Sequence, residues 1–175
     1  FVIEDIPFRA ISFVKPTIAE TKFNREFDSY NEAFKAYLPE NTSTILIAHQ
    51  TFEGCTTGSS EAMSFFDDAV SQEVVRAYPL VLAGHIHKRQ TLRNIYYPGS
   101  LMPYAFGDEY AGGITLWDIQ ISHHFSWAYD IKSSIIPVEL LRKFQIIRGD
   151  LKHCLGIPDN GAYTKVELVD ENIPL

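Results

Sequence analysis

Two short apolar runs, each followed by histidine, decide the fold of this chain: residues 44–49 are TILIAH and residues 80–87 are LVLAGHIH. A short, continuous apolar run is typical of a strand that is buried on both faces of a parallel sheet. In open α/β sheets, functional side chains collect just beyond the carboxyl ends of the strands. The two runs therefore predict strands that bring His49, His85 and His87 to one edge of a sheet.

The segments around these runs predict helices between the strands. Residues 27–38 carry aromatic and aliphatic side chains at helical spacing, with Ser29 and Glu32 as a capping box at the start and Pro39 as the stop. Residues 63–77 show a second amphipathic pattern. The first half of the chain thus alternates strand and helix, which predicts an α/β fold.

Alternating patterns predict the remaining strands and a layered sandwich as the architecture. His123 and His124 are expected in a hairpin turn, and His153 in a solvated, helix-like stretch. A break in composition near Pro137 predicts a domain boundary. The further strands are residues 8–14, 95–97, 113–121 and 125–131, with weaker patterns at 144–147 and 163–169.

The composition is that of a globular protein with a negative net charge. Of the 175 residues, 46% are hydrophobic and 13% are aromatic, which argues against disorder over most of the chain. The net charge of −7 argues against the usual basic type of DNA-binding protein. It does not exclude DNA, because a local basic strip or a bound divalent metal can meet the phosphates.

The cysteine content and the hydropathy pattern predict a cytoplasmic protein without membrane association. Cys55 and Cys154 lie far apart and form neither a disulfide framework nor a zinc-ribbon spacing. No apolar run approaches the roughly 20 residues that span a bilayer, and no signal peptide is visible. The chain begins with Phe1, from which we expect that it starts inside a larger domain.

The histidines after the two apolar runs are the candidate metal ligands, since neutral imidazole binds first-row divalent metals well. A lone histidine after a strand is more often a cap or a surface residue, so His49 alone is weak evidence. Gly-His-x-His directly after a buried strand is much stronger. Gly84 has no side chain, so the backbone can turn tightly and direct His85 and His87 to one point.

Four stretches of the chain resemble the calcineurin-like metallophosphoesterases, and within them most closely the SbcD-type double-strand-break repair nucleases. Gly-His-Ile-His-Lys followed by Tyr-Pro-Gly-Ser is nearer to the nuclease branch than to the phosphatases, many of which carry Gly-His-Thr-His. The stretches are residues 45–54 (ILIAHQTFEG), 80–90 (LVLAGHIHKRQ), 95–109 (IYYPGSLMPYAFGDE) and 112–119 (GGITLWDI).

The resemblance implies a four-layer α-β-β-α sandwich, of which this chain holds the second half. It also implies two divalent metal ions, usually Mn²⁺ in the nucleases. Carried over to this sequence, His49 and His85 correspond to ligands of one ion and His87 to a ligand of the other. Two such ions clamp a phosphodiester and activate a water molecule for in-line attack.

The chain departs from the family pattern in one large respect. The family also needs Asp-x-His, Gly-Asp-x-x-Asp and Gly-Asn-His-Asp upstream of these histidines, and none of the three motifs occurs here. The bridging carboxylate and the family's catalytic histidine are therefore absent from this sequence. We expect that the chain is inactive alone and that the first half of the domain lies outside it.

The resemblance also suggests partners. Residues 144–151 and 163–169 resemble the entry into the family's DNA-capping domain, so the expected domains are 1–136 and 137–175. In that family the nuclease is a homodimer that works with an SbcC-type ATPase subunit, as a heterotetramer. Lys88, Arg89 and Arg93 follow the histidine motif and either contact DNA phosphates or form a solvated loop.

Three functions follow from these observations. The first is a Mn-dependent exonuclease or endonuclease subunit in double-strand-break repair or recombination. The second is a phosphatase or small phosphodiesterase of the same superfamily, which the negative charge favours. The third is a non-catalytic fragment that binds a partner, which the missing motifs favour.

Overall fold

The computed structural model describes residues 1–56, 68–103, 106, 112–122 and 129–169, and its centre is a mixed six-stranded sheet. The strand order is β1-β2-β3-β4-β6-β5. Strands β2, β3, β4 and β6 run parallel, whereas β1 and β5 pair antiparallel with their neighbours. The strands are β1 Val2–Ile3, β2 Ile6–Ile11, β3 Ile45–His49, β4 Val81–Gly84, β5 Gln90–Leu92 and β6 Ile95–Tyr97.

Two helices connect β2 to β3 and cover one face of this sheet. Helix α1 spans Pro16–Phe23 and starts with proline, whose fixed φ suits the first helical turn. Helix α2 spans Tyr30–Lys35. Their buried residues pack on the larger hydrophobic core together with inward-facing residues of β2, β3 and β4, and these residues are Ala19, Ala33, Phe34, Ile11, Leu46, Ala48, Val81 and Ala83.

The start of α2 shows how the sequence fixes a helix end. The Ser29 hydroxyl oxygen accepts a hydrogen bond from the Glu32 backbone N–H at 3.2 Å. The Glu32 carboxylate reaches back to the backbone N–H of Asp28 at 3.3 Å, one residue before the position that a capping box uses. The predicted cap is therefore present, with the reciprocal bond displaced by one residue.

We expect Ser29→Ala to lower the free energy of unfolding by about 1 kcal/mol, the usual loss for an N-cap serine. The reason is that the Glu32 N–H would lose its side-chain acceptor while the rest of the helix stays the same. Urea denaturation measures the change. Ser29→Asp is the matched control, since it keeps an acceptor and should fold nearly as well; equal losses in both variants would contradict the capping role.

A two-stranded antiparallel ribbon covers the opposite face of the sheet. Strand β7 spans Gly113–Ile121 and β8 spans Tyr129–Pro137. A second hydrophobic core lies between the ribbon and the sheet. Its buried residues are Ile6 in β2, Ile45 in β3 and Leu80 directly before β4, and the ribbon residues that pack on it are Trp117, Ile119, Tyr129 and Ile131. The described residues thus provide a helical layer, the sheet and a two-stranded layer.

The last part of the described chain forms a separate parallel pair. Strand β9 spans Phe144–Gly149 and β10 spans Tyr163–Leu168. Helix α3, Leu151–Gly156, connects them, and the Asp150 carboxylate caps it by accepting a hydrogen bond from the His153 N–H. His153 itself is exposed, as expected from the polar stretch around it.

The α/β class is confirmed, and most predicted strands are present with shifted ends. The strand predicted at residues 8–14 ends at Ile11, and the helix predicted at 27–38 is confined to Tyr30–Lys35. The strand predicted at 125–131 is described from Tyr129 and continues to Pro137. His123 and His124 lie outside the described residues.

The helix predicted at residues 63–77 is wrong where the structure describes it. The Val70 N–H donates to the Thr51 carbonyl at 2.9 Å, and the Glu53 N–H donates to the Val70 carbonyl at 2.9 Å. Val70 therefore pairs with the chain that follows β3 and not with a helical turn. A short 3₁₀ helix, Gln72–Val75, follows it; residues 57–67 lie outside the described residues.

Neither α1 nor β5 was predicted. Pro16 lies shortly after the strand predicted at residues 8–14 and begins α1. Across the parts of the chain that the structure describes, no helix has the length and apolar character needed to cross a membrane.

Candidate metal centre

The structure brings His49 and His85 together at the carboxyl ends of neighbouring parallel strands. His49 is the last residue of β3 and pairs in register with Gly84, the last residue of β4, so His85 is one residue further on. The distance from His49 Nε2 to His85 Nδ1 is 3.3 Å, and the ring centroids are 5.2 Å apart. Both side chains are exposed and present nitrogen atoms to the same space.

Gly84 leaves space for the His49 ring, whereas its sequence context predicts a tight backbone turn at this residue. A β-carbon built on Gly84 would lie 2.9 Å from His49 Nδ1, closer than side chains tolerate. The sharp change of backbone direction instead falls on His85, whose φ is +88°. Glycine at residue 84 is therefore needed so that the His49 imidazole can lie across the neighbouring strand.

We expect Gly84→Ala to weaken divalent-metal binding at least about tenfold, comparable with the loss of a partner that orients a metal ligand. The new methyl group would push the His49 ring aside, and since that ring is exposed, the free energy of unfolding should change little. Calorimetric Mn²⁺ titration and urea denaturation measure the two effects. Gly156→Ala is the control, because no atom of the described residues lies within 4 Å of a β-carbon there. Unchanged affinity in Gly84→Ala would contradict a role of Gly84 in placing the His49 ring.

A buried hydrogen-bond network fixes the chain directly after His49. The Gln50 side-chain oxygen accepts from the Val14 N–H at 3.0 Å. The Tyr97 hydroxyl donates to the Gln50 carbonyl at 2.8 Å and accepts from the Phe52 N–H at 2.9 Å. Gln50, Phe52 and Tyr97 are fully buried, and burial raises the pKa of Tyr97 far above its ordinary value, so the phenol stays protonated. Sequence patterns did not indicate Gln50 or Tyr97.

The surroundings of His85 keep its imidazole neutral. Partial burial lowers the pKa of His85, and the neighbouring His49 and His87 lower it further, while the Asp68 carboxylate opposes the shift. Protonation is thus disfavoured at His85, which leaves the ring nitrogens available as ligands. The Asp68 carboxylate also has a buried oxygen, Oδ1, that has no hydrogen-bond partner among the described residues.

The separation of the two nitrogens fits a single metal ion. Two imidazole nitrogens at about 2.1 Å from one ion lie about 3.0–3.4 Å apart in octahedral or tetrahedral geometry, and the observed separation is 3.3 Å. Within residues 1–56, 68–103, 106, 112–122 and 129–169, no three His, Cys, Asp or Glu side chains form a group that could hold a metal ion. His87 is exposed and does not join the pair as a third ligand there.

The cations after the histidine motif already have partners within the chain. The Arg89 guanidinium is half-buried and donates to the carbonyls of Pro98 at 3.1 Å and Gly113 at 3.3 Å. These bonds join the residue before β5 to the residue after β6 and to the start of β7. Arg93 forms an exposed ion pair with Glu73. Contact with DNA stays a prediction for the three side chains, which are Lys88, Arg89 and Arg93.

Comparisons with known proteins support a metallophosphoesterase-type family. No family model matches the chain. "Putative phosphoesterase 244L" of Invertebrate iridescent virus 6 is 38% identical over 72 residues, which cover 41% of this chain and 23% of that protein. "Putative phosphoesterase 078R" of Invertebrate iridescent virus 3 is 31% identical over 129 residues, covering 70% of this chain and 35% of that protein.

A third relative is a component of a bacterial nuclease. The D subunit of the SbcCD nuclease from Staphylococcus epidermidis is 26% identical over 153 residues, which cover 83% of this chain and 39% of that protein. The chain thus spans between 23% and 39% of the length of these three curated relatives. Their names agree with hydrolysis of phosphoesters as the activity of the group.

Proposed function

We propose that this chain is part of a metal-dependent phosphodiesterase that acts on DNA, a nuclease subunit in double-strand-break repair or recombination. The observation that carries the proposal is the pair of imidazole nitrogens, 3.3 Å apart, at the ends of two neighbouring parallel strands. This position in an α/β sheet is where functional side chains collect. The nuclease relative, which matches 83% of the chain, supports DNA as the substrate.

The residues of this chain have three roles in the proposal. His49 Nε2 and His85 Nδ1 hold one divalent ion, and His87 is a ligand of a second ion that needs further residues. We infer manganese as the metal. Bound metal ions would polarise the phosphodiester and supply a nucleophilic water at neutral pH. The neutral state of His85 favours the first role, since a protonated imidazole cannot be a ligand.

The proposal extends to partners. Lys88, Arg89 and Arg93 would contact DNA phosphates beside the metal centre; the Arg93–Glu73 pair is exposed and therefore weak enough to exchange for a phosphate. The complete protein would form a homodimer and assemble with an SbcC-type ATPase subunit. The name of the bacterial relative, a D subunit of the SbcCD nuclease, supports that assembly.

A phosphatase or small phosphodiesterase is the second candidate. The two viral relatives are named phosphoesterases and have the higher identities, 38% and 31%. The net charge of −7 also suits a small substrate better than a polyanion. A non-catalytic fragment is the third candidate, which the lack of a three-ligand group among the described residues favours.

The substrate test uses the complete protein. We expect Mn²⁺-dependent degradation of linear double-stranded DNA, measured on gels, with Mg²⁺ and chelator as references. Hydrolysis of small phosphoesters with the DNA left intact would favour the phosphatase, and no hydrolysis of either substrate would favour the partner-binding fragment.

Electron paramagnetic resonance during a Mn²⁺ titration tests the metal site on this chain directly. A single weakly bound ion that disappears in His85→Ala is the expected result, because the described residues pair two imidazoles for one ion. Two spin-coupled ions would mean that the chain already contains a complete dinuclear site. No bound ion in the unsubstituted chain would contradict the metal centre.

A further inference from the structure

We propose that Phe13 is a positioning residue for the His49–His85 pair, an inference that rests on the proposed metal-binding function. The Phe13 ring lies 5.2 Å from the His85 ring at 39° and 6.5 Å from the His49 ring at 71°, measured between centroids. The two imidazoles are themselves 5.2 Å apart. The three rings therefore form one cluster in which each ring contacts the other two, and Phe13 supplies its apolar side.

The backbone holds Phe13 in place next to the histidines. Phe13 follows β2 by two residues, at the same end of the sheet as His49 and His85. The next residue, Val14, is in the core and donates its N–H to the buried Gln50 side chain at 3.0 Å. Gln50 directly follows His49, so one buried hydrogen bond joins the residue after Phe13 to the residue after His49.

The histidines need such a partner because neither is held by burial. Both are exposed, and His85, which directly follows β4, has a backbone φ of +88°. An exposed side chain samples several rotamers, whereas a metal site requires its ligands within about 0.5 Å of the binding geometry. The Phe13 ring, tilted against His85 and edge-on to His49, restricts the χ angles of both imidazoles and thus keeps Nε2 and Nδ1 directed at one point.

Phe13 is not a structural core residue in the described chain. It is half-buried and belongs to neither hydrophobic core cluster. Truncation should therefore leave the fold intact, which separates a positioning role from a packing role. An aromatic contact contributes enough to change affinity roughly threefold to tenfold when it is lost.

The experiment compares four forms of the full chain: unsubstituted, Phe13→Ala, Phe13→Tyr and Phe23→Ala. Phe23 is the matched control, since its ring contacts only Phe27, Tyr37 and the Lys22 ammonium among the described ring contacts. Calorimetry gives the Mn²⁺ affinity, and long-range ¹H–¹⁵N correlation spectra of the metal-free protein report the order of the His49 and His85 rings. Circular dichroism checks the fold.

We expect Phe13→Ala to bind Mn²⁺ roughly threefold to tenfold more weakly, with broadened or shifted His49 and His85 ring signals. Phe13→Tyr should recover both properties, and Phe23→Ala should change neither. Unchanged ring signals in a folded Phe13→Ala protein would overturn the positioning role. If the unsubstituted chain binds no Mn²⁺, the proposed metal site fails, while the metal-free ring signals still decide whether Phe13 orders the two imidazoles.

Discussion

Replacing His85 by alanine is expected to weaken Mn²⁺ binding by at least about 100-fold, more than the roughly 10- to 100-fold that follows loss of an outer partner of a ligand. Half of the observed pair disappears in this variant, and a single exposed imidazole at His49 binds metal poorly. His85 is exposed and outside both hydrophobic cores, so the free energy of unfolding should change by less than about 0.5 kcal/mol. Calorimetric titration and urea denaturation measure both quantities.

Two further variants make this result specific. His153→Ala removes another exposed histidine, from α3, and should leave metal binding unchanged. The double variant His49→Ala with His85→Ala should bind scarcely more weakly than either single variant, because residues that act as one unit are not additive. Additive losses would mean that the two histidines hold separate ions. Unfolding of His85→Ala would assign that side chain a structural role.

Tyr97→Phe is expected to lower the free energy of unfolding by about 2–4 kcal/mol, because each buried backbone group left without a partner costs about 1–3 kcal/mol. The substitution removes one oxygen atom, but that oxygen serves two such groups, the Gln50 carbonyl and the Phe52 N–H. Tyr97 is 0% exposed, so water cannot replace the hydroxyl without a rearrangement. Urea denaturation gives the change in the free energy of unfolding.

Tyr129→Phe is the matched control for Tyr97→Phe. Within the described parts of the chain, the Tyr129 hydroxyl donates one hydrogen bond, to the Ser43 carbonyl at 2.7 Å, and the residue is only half-buried. Its loss should cost about 1 kcal/mol. Tyr97→Phe should also weaken Mn²⁺ binding, because Gln50 follows His49 directly, whereas Tyr129→Phe should not. Equal losses in the free energy of unfolding would show that the buried network after His49 stabilises the fold no more than a single hydrogen bond does.

The central sheet and the approach of His49 to His85 were predictable because strong local signals carry them. A continuous apolar run favours a strand of a parallel sheet with both faces covered, and in β3 only Ile47 and His49 are exposed. Parallel strands end at the same edge, so histidines that follow two such runs come close if the strands are neighbours. The structure makes β3 and β4 neighbours, with His49 opposite Gly84.

The features that sequence patterns missed depend on contacts between distant parts of the chain. Gln50 and Tyr97 are 47 residues apart; Gln50 alone is an ordinary polar residue after β3, and Tyr97 alone is an ordinary aromatic residue at the end of β6. Phe13 likewise gains its place only when three strand ends meet. The helix predicted at residues 63–77 has an amphipathic period, but in its described part, from residue 68 onward, Val70 pairs with the chain after β3 instead.

The left-handed backbone conformation of His85 lowers the stability of the fold at a position where the proposed metal site needs a side chain. With φ at +88°, a residue that carries a β-carbon is destabilised by roughly 1–2 kcal/mol relative to glycine. Selection for thermal resistance alone would therefore favour glycine at residue 85, whereas the metal site proposed above requires an imidazole there. A screen for heat-resistant variants of this chain should recover His85→Gly among the variants with the highest melting temperatures. Those variants should no longer bind Mn²⁺.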